Sequence, residues 1–195
     1  MKSVLISIQP KWCELIASGK KTVEVRKTKP KLPTPFKCYI YESSGNHRVG
    51  NENFNVYLKG KGRKKVIGEF VCDEVDRIAH CGTCNNDIRL KIVDNNLYCK
   101  ELDYVYLNKC QLSYFDINEY SNGGDVYGWH ITNLIIYDEP KELSEFQKYG
   151  ALSYDDWLYG LYNGSSESSY EKYLIPFKVS RPPQSWCYVE KEGEG

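Results

Sequence analysis

The stretch Gly19-Lys20-Lys21-Thr22-Val23-Glu24-Val25-Arg26 decides how the rest of the chain is read. It reads as a helix end running straight into a strand. Side chains alternate between the two faces of a strand, so Val23 and Val25 point into a core. Thr22, Glu24 and Arg26 then point the other way, and Lys21 sits at the strand's mouth. One face packs and the other offers charges for binding or chemistry.

Upstream, Val4, Ile6 and Ile8 alternate with Leu5, Ser7 and Gln9, which predicts a first strand over 3–9. Pro10 suits the first position of a helix, where its missing N–H is not needed. Trp12, Leu15 and Ile16 make one apolar helical face, and Gly19 can close the helix in a left-handed cap. Downstream, the prolines of Lys27–Pro35 forbid regular structure and leave an extended basic loop. Lys37–Tyr41 reads as a strand, Ser43–Asn55 as a loop, Lys59–Lys65 as a basic Gly-rich turn with no acid to neutralise it, and Val66–Val75 as a strand. The region 79–98 reads as an irregular insertion. Leu112–Tyr120 predicts a short helix stopped at Asn122-Gly123-Gly124, and Val126–Tyr137 is the strongest strand signal, with Pro140 ending that run. Residues 141–180 read as a variable insertion, and a last strand starts near Ser185. Short strands, few long helices and many turns predict an α+β, mostly β chain: a mixed β-barrel with short flanking helices and irregular insertions.

The 195 residues suit one domain over 1–195 with insertions near 80–125 and 141–180, and the 41% apolar and 27% charged content is ordinary for a globular chain. The zero net charge hides an asymmetry: residues 1–70 carry 15 Lys/Arg against 5 Asp/Glu, whereas 71–137 carry 5 against 10 and 138–195 carry 6 against 11. A basic N-terminal third fits a polyanionic partner. No apolar run approaches a transmembrane span, and no secretory h-region is present, so a cytoplasmic location is expected. The eight Cys are irregularly spaced and are read as reduced thiols.

The pattern Gly-x-Lys-x-x-Glu-x-Arg, carried by Gly19, Lys21, Glu24 and Arg26, resembles the signature of the ASCH domain, a branch of the PUA-like superfamily. Val66-Ile67-Gly68-Glu69-Phe70, Gly128-Trp129-His130-Ile131 and Arg181–Val189 are similar to parts of an ASCH subfamily common in bacterial and phage genomes. The resemblance covers about residues 3–76, 126–140 and 181–189. It implies a small β-barrel with a cleft beside the signature, and a role in binding RNA or modified nucleosides. Some small members hydrolyse the acetyl group of N4-acetylcytidine with the signature lysine, which Lys21 matches. They carry a threonine where this chain has Glu24, so the threonine-dependent mechanism does not carry over.

Lys21 and Glu24 are therefore the candidate catalytic residues if the cleft is an enzyme's, with Lys21 as electrophile or proton donor and Glu24 activating water. Candidate ligand-binding residues are Thr22 and Arg26 on the strand, Trp129 and His130, and Gln184, Ser185 and Trp186. An arginine fork holds phosphate or carboxylate, tryptophans stack on bases, and amide and hydroxyl groups beside an aromatic suit a base edge. Lys27, Lys29, Lys31, Lys61, Arg63, Lys64 and Lys65 are the candidates for tracking a nucleic-acid backbone. His80-Cys81-Gly82-Thr83-Cys84 is a single CxxC without a second matched pair, so no metal is expected. No P-loop, dinucleotide fingerprint or Ser/His/Asp order occurs, and no cofactor is expected. RNA or a nucleotide-like ligand is the expected partner. Two alternatives stand beside it: hydrolysis of a modified nucleoside or of RNA in the same cleft, and a protein-interaction role for the Tyr-rich stretches 100–120 and 149–173.

Overall fold

A computed structural model describes residues 2–45, 47–51, 54–58, 60–82, 88–93, 99–151 and 174–191. The chain starts on a strand whose two faces are both apolar. In β1 (Ser3–Ile8), Val4, Ile6 and Ile8 enter one core and Leu5 enters another. A strand buried on both faces belongs in the middle of a sheet. β1 indeed lies between β3 (Phe36–Glu42), which runs parallel to it, and β14 (Trp186–Lys191), which runs antiparallel. The parallel pairing requires a crossover. That crossover is α1 (Pro10–Ala17), with Pro10 at its start and Gly19 just beyond it at φ 72°, followed by β2 (Val23–Arg26).

β4 (His47–Asn51) and β5 (Phe54–Leu58) form a separate antiparallel pair where a loop was expected. The expected strand 66–75 is two strands, β6 (Val66–Cys72) and β7 (Val75–Gly82), turning at Asp73-Glu74. Part of the expected irregular insertion is also regular. β8 (Ile88–Val93) pairs with β7, and β9 (Cys99–Glu101) pairs with β8. Two helices follow, α2 (Tyr104–Cys110) and α3 (Tyr114–Ser121), each opened by a side-chain cap from Asp103 and Ser113 respectively.

The strong strand signal at 126–137 also divides, at Ile131. β10 (Val126–His130) joins β2 and β7, while β11 (Thr132–Lys141) joins β6 in the other sheet. Pro140 lies within β11 rather than ending it. β11 is an edge strand, where a missing N–H is tolerated. A 3-10 turn at Leu143–Glu145 precedes β12 (Phe146–Ala151), which pairs with β13 (Leu174–Lys178) and β14.

The result is an α+β, mostly β fold. A seven-stranded sheet has the order β11-β6-β3-β1-β14-β12-β13, and a five-stranded sheet has the order β2-β10-β7-β8-β9. Hydrogen bonding does not close a barrel among the described residues, because the chain changes sheet at Ile131 and both sheets keep open edges. They share a core instead, in which Trp129 of β10 packs with Ile6, Ile40 and Phe70 of the larger sheet. Among the described residues no helix is long and apolar enough to cross a membrane.

Candidate functional site

The predicted alternation on β2 is observed. Val23 and Val25 enter the core formed with Ile78, Leu90, Ile117 and Val126. Glu24 and Arg26 face the opposite way, into a cavity of about 460 Å³ that Lys21 also lines. All three charged residues are nevertheless buried, with exposures of 2% for Lys21, 6% for Glu24 and 9% for Arg26. Burying charge is costly unless it is paired. The pairing is dense: Glu24 Oε2 lies 3.4 Å from Lys21 Nζ and Glu24 Oε1 lies 3.0 Å from Arg26 Nη2.

Main-chain carbonyls take the other donors. Lys21 Nζ donates to the carbonyl of Cys110 at 2.6 Å, and Arg26 Nη2 donates to the carbonyl of Ser7 at 2.6 Å. The site is thus braced to the end of α2 on one side and to the central strand β1 on the other. Arg26 Nε is buried and has no hydrogen-bond partner. Two cations against one carboxylate leave the base of the cavity with one positive charge in excess, and one donor that faces no acceptor.

The walls come from distant parts of the chain. Trp12 of α1 stands on one side, with Lys11 Nζ 4.2 Å and Lys21 Nζ 5.0 Å from its ring centre. Leu112, Asp116 and Tyr120 supply another wall from α3 and the residue stretch before it. Pro182, Pro183 and Gln184 close a third side, and Ser7 Oγ donates to the Pro183 carbonyl at 2.6 Å. Trp12 was read from sequence as a core residue. Its place on the i, i+3, i+4 face is real, but the ring sits at the edge of that face, half-buried. Asp116 and Tyr120 carried no signal, because nothing local says that α3 would dock beside β2.

Of the other predicted ligand residues, only Gln184 lines the cavity. Thr22 is half-buried and uses its backbone: its N–H donates to Lys109 and its carbonyl accepts from Ile131. Ser185 offers its carbonyl to the Ser7 N–H at 2.9 Å. Trp129 pairs opposite Glu24 in the β10–β2 register but is fully buried. Its ring meets Phe36 edge-on at 5.7 Å and lies 5.9 Å from Trp186. Trp186 in turn donates from Nε1 to Thr28 Oγ1 at 3.0 Å. Trp129 is thus part of the core, and the half-buried Trp186 packs against it.

His130 lies one residue on from Trp129 and so faces the other side of the sheet, away from the cavity. Its Nε2 is 2.7 Å from Asp76 Oδ2 and its Nδ1 is 3.9 Å from Glu74. The hydrogen bond to Asp76 raises the imidazole above its ordinary value against the opposing effect of burial. Burial by itself would raise Asp76, but the His130 hydrogen bond and the nearby Tyr106 hydroxyl outweigh it and hold the carboxyl low. Tyr106 Oη approaches Asp76 without the geometry of a full hydrogen bond.

The basic candidates divide. Lys27, Lys29 and Lys31 are exposed on the loop that leaves Arg26. Lys27 Nζ lies 5.2 Å from the Tyr120 ring centre, Lys29 Nζ lies 5.6 Å from that of Tyr127, and the Lys31 N–H donates to Tyr188 Oη at 2.7 Å. This loop therefore starts at the cavity, with Lys27 against the wall residue Tyr120. Lys61 and Lys64 are also exposed. Arg63 and Lys65, expected to lack acidic neighbours, have them through tertiary contact. The Arg63 N–H donates to Glu42 Oε1 at 2.8 Å and its Nε is 4.0 Å from Glu42 Oε2, while Lys65 Nζ is 2.8 Å from Glu142. Of the His80–Cys84 stretch, His80 Nε2 meets Asn118 and Cys81 meets Cys99, while Cys84 lies outside the described residues. Among the described residues no group of three or more His, Cys, Asp or Glu could hold a metal ion.

Comparison with known proteins agrees with this architecture. The chain is similar over 97% of its length to the crystal structure of ASCH from Zymomonas mobilis, covering 89% of that chain at 19% identity and a TM-score of 0.52. A tyrosine-to-phenylalanine mutant of that protein matches over 98% and 92% at 20% identity and 0.50, and a serine-to-alanine mutant over 97% and 89% at 19% and 0.50. At such identities the likeness is one of fold. A search of curated proteins found no match. The family model for the ASCH domain matches residues 6–179, which runs from within β1 through the charged strand β2 and the cavity walls up to Val179. This chain belongs to the ASCH domain family.

Proposed function

We propose that this protein binds single-stranded RNA or a nucleotide-like ligand, with one base in the cavity and the adjoining phosphates along the Lys27–Lys31 loop. The observation that carries this reading is Arg26: a nine-tenths buried arginine whose Nε faces no acceptor, in a cluster of two cations and one carboxylate at the base of the cavity. A buried donor without a partner costs about 1–3 kcal/mol, and a ligand carbonyl or anionic oxygen would recover it. The volume of about 460 Å³ falls in the range of about 300–1,000 Å³ usual for small-ligand pockets. The ASCH family's general association with RNA supports the same partner class.

Binding is favoured over hydrolysis by the way Lys21 and Glu24 are held. Lys21 Nζ is already committed to the Cys110 carbonyl and to Glu24, and Glu24 is clamped between two cations. Neither is poised to deliver or accept a proton from a substrate without first leaving these partners.

Titrating a short single-stranded oligoribonucleotide against salt tests the reading. Each phosphate neutralised contributes about −0.7 to the slope of log K against log salt for single strands. Replacing Lys27, Lys29 and Lys31 together by Ala should flatten the slope by about 2. Arg26→Met should weaken binding at every salt concentration. Absence of binding at low salt, or a slope unchanged by the triple substitution, counts against it.

A further inference from the structure

The α3 wall gives the cavity a polarity that the signature strand alone does not. Leu112, Asp116 and Tyr120 are spaced four apart and all line the cavity. Ile117, on the other side of α3, is buried in the core with Val23 and Val25 and fixes the helix in place. Asp116 is also locked within its own turn. Its Oδ2 accepts from the Ser113 N–H at 2.8 Å and from Ser113 Oγ at 2.7 Å, and Ser113 Oγ in turn accepts from the Asp116 N–H at 3.1 Å. These hydrogen bonds hold the Asp116 carboxyl low, with a smaller contribution from Lys11. Both Ser113 bonds fall on Oδ2, so Oδ1 keeps its acceptor capacity at the cavity rim. Donors therefore line the base of the cavity and an oriented carboxylate stands at its mouth, with Trp12 and Tyr120 offering apolar faces between.

We propose that Asp116 and Tyr120 determine the specificity of this cavity, selecting a nucleobase that carries an exocyclic amino group as well as a ring carbonyl. The carbonyl oxygen accepts from Arg26 Nε, the amino group donates to Asp116 Oδ1, and the ring lies against Tyr120. This assignment rests on the cavity being a nucleotide site, and the test separates the two claims. A base that presents a carbonyl to Asp116 instead meets an acceptor with an acceptor, and desolvates the carboxylate without compensation.

Calorimetric titration with four monophosphates reads this directly: GMP against IMP, which lacks only the 2-amino group, and CMP against UMP. The expected result is about tenfold tighter binding of GMP than IMP and of CMP than UMP. Asp116→Ala should bring both ratios to about one, by weakening GMP and CMP and by removing the acceptor that opposes the O4 carbonyl of UMP. Its far-UV circular dichroism should match that of the native chain, since Ser113 Oγ still accepts the N–H of residue 116 and Ile117 still anchors α3. Ser113→Ala, which frees the carboxylate without removing it, should lower the ratios partway. Tyr120→Ala should weaken all four ligands together by about tenfold. Equal binding of all four by the native protein, or ratios that survive Asp116→Ala, overturns the selectivity and leaves the nucleotide site standing. Failure of all four to bind overturns the nucleotide site and the selectivity with it.

Discussion

Glu24 is the sole carboxylate between two buried cations, and replacing it by glutamine isolates what that charge does. The substitution keeps the shape of the side chain and one acceptor oxygen but removes attraction to Lys21 at 3.4 Å and to Arg26 at 3.0 Å. At an effective dielectric of about 20, one unit-charge pair at such a distance is worth about 5 kcal/mol before desolvation. Breaking a buried pair by removing one partner costs about 3–5 kcal/mol, because the remaining charges stay buried without compensation. For a chain of this length each kcal/mol shifts the melting temperature by about 2–4 °C, so Glu24→Gln should lower it by about 6–20 °C. An anion entering the cavity would restore the missing charge. Thermal melts followed by circular dichroism in HEPES, with phosphate or with chloride at matched ionic strength, check both parts. Phosphate should raise the melting temperature of Glu24→Gln more than that of the native protein, and chloride should do so for neither. A variant that melts within about 2 °C of the native chain would refute the claim that these three charges hold one another.

Other expectations follow from contacts outside the cavity. His130 is raised above its ordinary 6.5 by Asp76, and Asp76 is held below its ordinary 3.8. The stabilisation from His130 is therefore full below pH 6.5 and fades as pH rises through its folded value, while that from Asp76 is present above pH 3.8 and fades as pH falls through its own. The stability gap between native protein and His130→Gln should be widest between about pH 4 and 6.5 and should shrink toward pH 9, as urea unfolding across pH would reveal. A Cβ on Gly128 would collide with Tyr106 Oη and lie 3.0 Å from Val23 Cγ1. Gly128→Ala should cost about 1–3 kcal/mol by overpacking, and adding Tyr106→Phe, which removes the clashing oxygen, should recover part of it in denaturant titrations. Lys65→Ala should leave the salt dependence of RNA binding unchanged, because Glu142 already occupies that ammonium.

Local patterns were legible wherever a single element carried its own signal. The alternation of β1 and β2, the Pro10 start and Gly19 end of α1, and the β-rich class could all be read before any tertiary contact was known. The divided strands could not. Thr132 continues the β propensity of Val126–His130, and only the partner strands reveal that the chain crosses between sheets at Ile131. α2 went unread because Tyr104–Cys110 has no apolar spacing that separates it from an aromatic loop, and its start rests on the Asp103 cap.

For the site, the sequence by itself determined the charged strand: period-two geometry puts Glu24 and Arg26 on the face opposite Val23 and Val25, whatever surrounds them. Burial, pairing and enclosure were decided by the tertiary structure. Lys21 is drawn to the Cys110 carbonyl 89 residues away, Arg26 to Ser7 on the central strand of the other sheet, and Asp116 and Tyr120 arrive on a helix whose packing no local pattern encodes. The same folding took Trp129 out of reach of a ligand and gave Arg63 and Lys65 acidic partners from distant segments. A strand's faces follow from its backbone, but what stands opposite each face depends on which distant elements bury their apolar sides together.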